Sequence, residues 1–104
     1  DLTNLTNLTN LTISEMDCVD TEFIRPFTKL ASLNIYNSEL ENLQGLSQLF
    51  ELEILWLNNN QIADLTPLAE LTQLAYLELK NNPISEQDRE WLIASLPNTV
   101  IVFD

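Results

Sequence analysis

The 104-residue chain has no histidine, a single cysteine, a single glycine and only four lysines and arginines. Each shortage excludes something. Without histidine, neither a Ser–His–Asp triad nor a Cys–His nucleophile pair can be assembled within the chain, and one cysteine cannot build a zinc cluster. Cys18 alone also rules out an internal disulfide framework. One glycine argues against a fold made of tight hairpins. Four basic residues against 16 acidic ones leave a formal charge of −12. Phosphate backbones are bound through Lys and Arg, so nucleic acid and anionic membrane surfaces are poor partners. A basic protein partner suits this charge, although a charged surface that keeps the protein soluble is the plainer explanation. Apolar runs reach at most four residues, as at 54–57, 91–94 and 100–103, too short to insert into a membrane. No catalytic residue, metal site or cofactor is expected.

What the chain does have is leucine in register. Segments starting at Leu8, Leu30, Leu52 and Leu74 read LTNLTISEMDC, LASLNIYNSEL, LEILWLNNNQI and LAYLELKNNPI, each 22 residues after the last. All fit L-x-x-L-x-L-x-x-N-x-L with substitutions. The apolar columns are Leu8/Leu30/Leu52/Leu74, Leu11/Leu33/Leu55/Leu77, Ile13/Ile35/Leu57/Leu79 and Cys18/Leu40/Ile62/Ile84. Between them, apolar residues recur every third position: Leu43, Leu46 and Leu49, then Leu65, Leu68 and Leu71, with Thr21, Ile24 and Phe27 in the rougher first connector. A three-residue beat suits a 3₁₀ turn or an extended stretch better than an α-helix, and Pro26 and Pro67 point the same way. Repetition at such a period is the signature of a solenoid.

These columns, and LNNNQIADLTPLAELTQLAYLELKNNPI above all, resemble the leucine-rich repeats of the short, 22-residue class found in bacterial internalins and in eukaryotic phosphatase regulators. The resemblance covers residues 1 to about 85. It implies an α/β fold: a right-handed leucine-rich repeat solenoid with short parallel strands on the concave face and 3₁₀ or irregular segments on the convex one. It also implies a non-catalytic protein–protein interaction module that binds through the concave face. The internalin-like match leans towards a bacterial, secreted or cell-surface protein, with a cytoplasmic location the alternative. The family's turn asparagine is present as Asn60 and Asn82 but replaced by Met16 and Ser38. The first two turns should therefore be less well tied, since Met offers no amide.

The division expected is residues 1–84 as repeats (a partial repeat 1–7, then repeats starting at 8, 30, 52 and 74) and residues 85–104 as a C-terminal cap. Ser85 with Asp88 three residues on reads as a capping-box variant, and Pro97 ends the helix it starts. Thr99 to Phe103 is β-branched and reads as a closing strand. Trp91 is expected to pack over the last repeat, because solenoid ends must be covered. At the other end, Leu2 and Leu5 occupy the columns of Leu68 and Leu71, so the chain opens inside a repeat. The expectation is a fragment of a longer repeat protein, or self-association through an open N-terminal end. The opening DLTNLTNLTNLT owes its rhythm to the repeat. Its sequons at Asn4, Asn7 and Asn10 would crowd any glycans they carried, so occupancy is not expected.

Side chains alternate along a strand, so residues between the leucines should line the concave face. The rungs are Asn10, Thr12 and Ser14; Ser32, Asn34 and Tyr36; Ile54, Trp56 and Asn58; and Tyr76, Glu78 and Lys80. Aromatic residues on such a face serve no core and are favoured at interface hot spots. The partner-binding set is therefore Tyr36, Ile54, Trp56, Tyr76, Glu78 and Lys80. The competing explanation is that the aromatics simply pack on each other across strands. Four strands offer on the order of 340 Å², short of the roughly 800 Å² per partner of a stable complex. A structural spacer or capping end of a larger multi-domain protein is thus the alternative function. Asp17, Asp20, Glu39, Glu41 and Asp64 form an acidic edge after the strands. Stacked, they could in principle hold calcium, but the dense ligand spacing of a calcium loop is missing and a solvated edge is expected.

Overall fold

A computed structural model describes residues 6–104. Leu2, Leu5 and the Asn4 sequon lie outside them. Five strands, β1 (Asn10–Ser14), β2 (Ser32–Tyr36), β3 (Ile54–Trp56), β4 (Tyr76–Glu78) and β5 (Val100–Val102), form one parallel sheet in sequence order. In the connectors from β1 to β4 lie 3₁₀ turns at Glu22–Ile24, Gln44–Leu46 and Thr66–Leu68. The register advances by 22 residues per strand: Leu11 faces Leu33, Leu33 faces Leu55, Leu55 faces Leu77. Each repeat therefore stacks its leucines on those of the next. Leu33, Leu55 and Leu77 are fully buried, as are Leu30, Leu52 and Leu79 and the connector residues Ile24, Leu46, Leu49, Leu68 and Leu71. Leu8, Leu11 and Cys18, in the first repeat, are only partly buried against this core. The architecture is a leucine-rich repeat solenoid, with the expected 3₁₀ connectors.

Two further columns keep the 22-residue beat. Asp20, Asn42 and Asp64 each accept the backbone N–H two residues on, from Glu22, Gln44 and Thr66, at 3.1, 2.8 and 3.0 Å. Such an Asx turn organises the backbone just ahead of each 3₁₀ turn. Two of the five carboxylates read as an acidic edge thus have structural work. Among the described residues no three acidic or Cys side chains are grouped so as to hold a metal ion. The second column is Glu15, Asn37, Asn59 and Asn81, all left-handed with φ between 53° and 59°. Asparagine tolerates that conformation better than most residues, so three of the four positions suit it.

The hydrogen bonds from the Thr66 side chain and backbone hold the Asp64 carboxyl below its usual value of about 3.8. A depressed folded value stabilises the fold above the unfolded value, and the gain is lost as pH falls through the folded one. Asp64→Ala should therefore be less stable than the wild type at neutral pH, by about 1 kcal/mol or less. The gap should close below about pH 4, as urea unfolding at each pH would record.

The single glycine, Gly45, is a close approach rather than a flexible joint. A Cβ there would lie 2.0 Å from the Thr21 carbonyl oxygen. Thr21 takes the place of leucine in its column and is fully buried. Its hydroxyl donates to the Asn42 carbonyl at 3.1 Å and accepts the Gly45 N–H at 2.8 Å. That pair draws the two connectors together. Gly45→Ala should cost about 1–3 kcal/mol in denaturant unfolding, because backbone rather than a movable side chain must give way.

The C-terminal helix α1 (Glu86–Ser95) starts where expected: Ser85 Oγ accepts the Asp88 N–H at 3.1 Å. Its covering residues are Leu92 and Leu96, both buried. Trp91 is not among them. Contrary to expectation, it is 41% exposed, as Ile93 is 52%, because 100° per residue turns the neighbours of Leu92 away from the core. β5 then pairs with β4, Leu77 facing Ile101, and extends the sheet by a fifth strand instead of only closing it.

Candidate functional site

The concave face is three rows of side chains set by the strand register. Ser32, Ile54, Tyr76 and Val100 make one row, and Asn34, Trp56, Glu78 and Val102 the next. Tyr36 faces Ser14 in the third, which Asn58 and Lys80 continue by the repeat. Tyr36, Ile54, Trp56, Tyr76 and Glu78 are half-buried and Lys80 is exposed. All six expected residues therefore lie on one surface. The aromatics are less exposed than the alternation suggested, since they lean on each other: the Trp56 and Tyr76 rings meet edge to face at 6.4 Å and 61°. Such a pair contributes about 0.5–1.5 kcal/mol beyond area burial. Cross-strand packing and partial exposure coexist here.

Glu78 is held on this face by two side-chain hydrogen bonds. The Tyr76 hydroxyl donates to its Oε1, and Asn58 Nδ2–H donates to its Oε2 at 2.6 Å. Asn58 is fixed in turn, because its Oδ1 accepts the Lys80 N–H at 2.8 Å. The Tyr76 hydroxyl first, then Asn58 and the Lys80 charge hold the Glu78 carboxyl below the usual glutamate range. The same bond raises Tyr76, whose hydroxyl must stay protonated to donate. The carboxylate is thus ionised and aimed, and each oxygen keeps a lone pair unused.

Beside it lies an open hollow of roughly 300 Å³ lined by Asn34, Tyr36, Trp56, Asn58 and Asn59. The Asn34 amide, Tyr36 hydroxyl and Trp56 indole N–H make no hydrogen bond to another described residue, whereas the Asn58 amide donates to Glu78 and accepts from Lys80. Three of the lining residues, Asn34, Asn58 and Asn59, were not among the six. Asn34 and Asn58 were legible as rung positions. Asn59 carried no sequence signal beyond the recurrence of asparagine at 37, 59 and 81.

The turns beyond the strands are locked by the two family asparagines, both buried. Asn60 Oδ1 accepts the N–H groups of Ser38 and Leu40, at 3.1 and 3.3 Å, while its Nδ2 donates to the carbonyls of Ile35, Leu57 and Asn58. Asn82 accepts from Ile62 and donates to Leu57, Leu79 and Lys80. Each asparagine therefore ties its own turn and the turn before it. The expected weakness of the first two turns falls mainly on the first. Ser38 sits under Asn60, and its hydroxyl donates to the Tyr36 carbonyl at 2.9 Å. In the first turn the Ser38 hydroxyl accepts the Met16 N–H, at 3.4 Å, and the Ser38 carbonyl accepts the Cys18 N–H at 3.2 Å, with no amide to tie the turn as Asn60 does. Met16 is 51% exposed.

A family model for leucine-rich repeats in two copies matches residues 51–98. Among solved structures the chain is similar to internalin C2 of Listeria monocytogenes, with 30% identity and a TM-score of 0.86 over 99% of this chain and 45% of that one. Internalin F of the same organism matches at 29% identity and 0.85, over 96% of this chain and 29% of that one. A leucine-rich repeat protein of Leptospira interrogans matches at 29% and 0.79, over 98% and 27%. The chain spans less than half the length of each. No curated protein matches it by sequence.

Proposed function

From the premise that the chain is a leucine-rich repeat protein of internalin-like kind, we propose that it is a non-catalytic module that binds a protein partner on its concave face. Leucine-rich repeats are generally protein-interaction modules, and the bacterial neighbours favour a bacterial, secreted or cell-surface setting. The proposal assigns binding to Tyr36, Ile54, Trp56, Tyr76, Glu78 and Lys80, on repeats spanning residues 1–84, with 85–104 as the cap. The observation that supports it is the hollow beside Trp56, where the Asn34 amide, the Tyr36 hydroxyl and the Trp56 indole N–H have no hydrogen-bond partner among the described residues.

One observation favours a spacer instead: Trp56 and Tyr76 already use each other. The two readings separate by partner capture. The wild-type chain, within its longer parent where one exists, should retain a partner that Trp56→Ala loses while remaining folded. Equal retention by both would favour the spacer, or a site elsewhere on the surface.

A further inference from the structure

Resting on that reading, we infer that the partner presents an arginine side chain to the concave face, its guanidinium lying against the Trp56 indole and pairing with the Glu78 carboxylate. Trp56 and Glu78 face each other in adjacent strands, a separation of roughly 4.8 Å between strands. An aromatic ring and a carboxylate at that spacing can engage one planar cation at once. Guanidinium stacks on indole and offers paired N–H donors, whereas an ammonium is a more strongly hydrated point charge.

The rest of the site suits the same guest. Tyr76 and Asn58 approach one side of the carboxylate group each, so Glu78 is held in place before any ligand arrives. Its remaining lone pairs can accept two further N–H groups. The hollow on the other side of Trp56 offers the Asn34 amide and the Tyr36 hydroxyl, enough to meet the backbone flanking an arginine. Among the described residues no cation pairs with Glu78: the ion pairs are Arg25–Glu22 and Arg89–Asp104, and Lys80 acts on Glu78 only through its charge. With a net charge of −12, the protein also draws a cationic segment towards it before contact.

The chain's two tryptophans make the test internally controlled, because Trp91 stands on the cap helix. The probes are N-acetyl-arginine amide, its lysine counterpart and the neutral isostere N-acetyl-citrulline amide. Each is titrated into the folded protein while both indole N–H resonances are followed. The arginine probe should shift the Trp56 signal saturably and leave that of Trp91 in place. Lysine should bind more weakly and citrulline not at all. Glu78→Gln should weaken the arginine response at least about tenfold, and raised salt should weaken it too. Equal responses to arginine and citrulline, parallel movement of Trp91, or an unchanged response in Glu78→Gln would overturn the inference. The captured partner separates this from the broader proposal. If Trp56→Ala loses it and Glu78→Gln keeps it, the concave face binds by other chemistry and only the arginine assignment falls.

Discussion

Asn60→Ala should lower the unfolding free energy by about 4 kcal/mol, among the largest effects of any single truncation in this chain. The side chain makes five hydrogen bonds to backbone groups of two consecutive turns, and it is 2% exposed. Alanine removes every partner at once and leaves buried donors and acceptors that water cannot easily reach, each costing about 1–3 kcal/mol if nothing relaxes. Turn relaxation and entering water will recover part of that sum, hence the lower figure. Asn60→Ser should fall between, because Ser38 shows that a hydroxyl in this column can still reach a carbonyl two residues back. Urea midpoints for the wild type and both variants give the ranking directly. An Asn60→Ala midpoint within error of the wild type would mean that leucine stacking, rather than the asparagine tie, holds the turns.

Trp56→Ala should cost about 3 kcal/mol in partner binding, a weakening on the order of 100-fold. Its effect on stability should be smaller, about 1 kcal/mol, because the main loss in the free protein is the edge-to-face contact with Tyr76. A residue present only to hold the sheet together would show the opposite order. Calorimetric affinity and thermal unfolding of the same preparation supply both numbers. Tyr76→Phe offers a finer version, since it keeps the ring contact while removing the hydroxyl that orients Glu78.

Much of the fold was legible because each repeat states the same pattern. A leucine at 30, 52 and 74 means the same thing three times, and burial follows at all three. The 3₁₀ connectors were legible from a beat of three, and the cap helix from Ser85 and Pro97. The reading of Trp91 went wrong where repetition stopped. In the cap a single helical turn decides which side chain faces inwards, and Leu92 takes the place given to its neighbour. The polar columns were harder to see. Asp20, Asn42 and Asp64 differ in charge and resemble surface residues until their shared bond to the backbone two residues on is known. On the concave face, alternation placed all six candidate residues on one surface. It could not foresee that Tyr76 and Asn58 would converge on Glu78, because that depends on side-chain reach across a register no single strand encodes.

The central claim, that a protein partner sits on the concave face, is met most directly by a photo-crosslinking comparison. A benzophenone side chain replaces Asn34 in the hollow or Gln48 on a connector across the solenoid, and the partner captured by the wild-type protein is added to each. The account predicts an adduct from position 34 that disappears when Trp56→Ala is combined with it, and none from position 48. An adduct from position 48 with none from position 34 would contradict it.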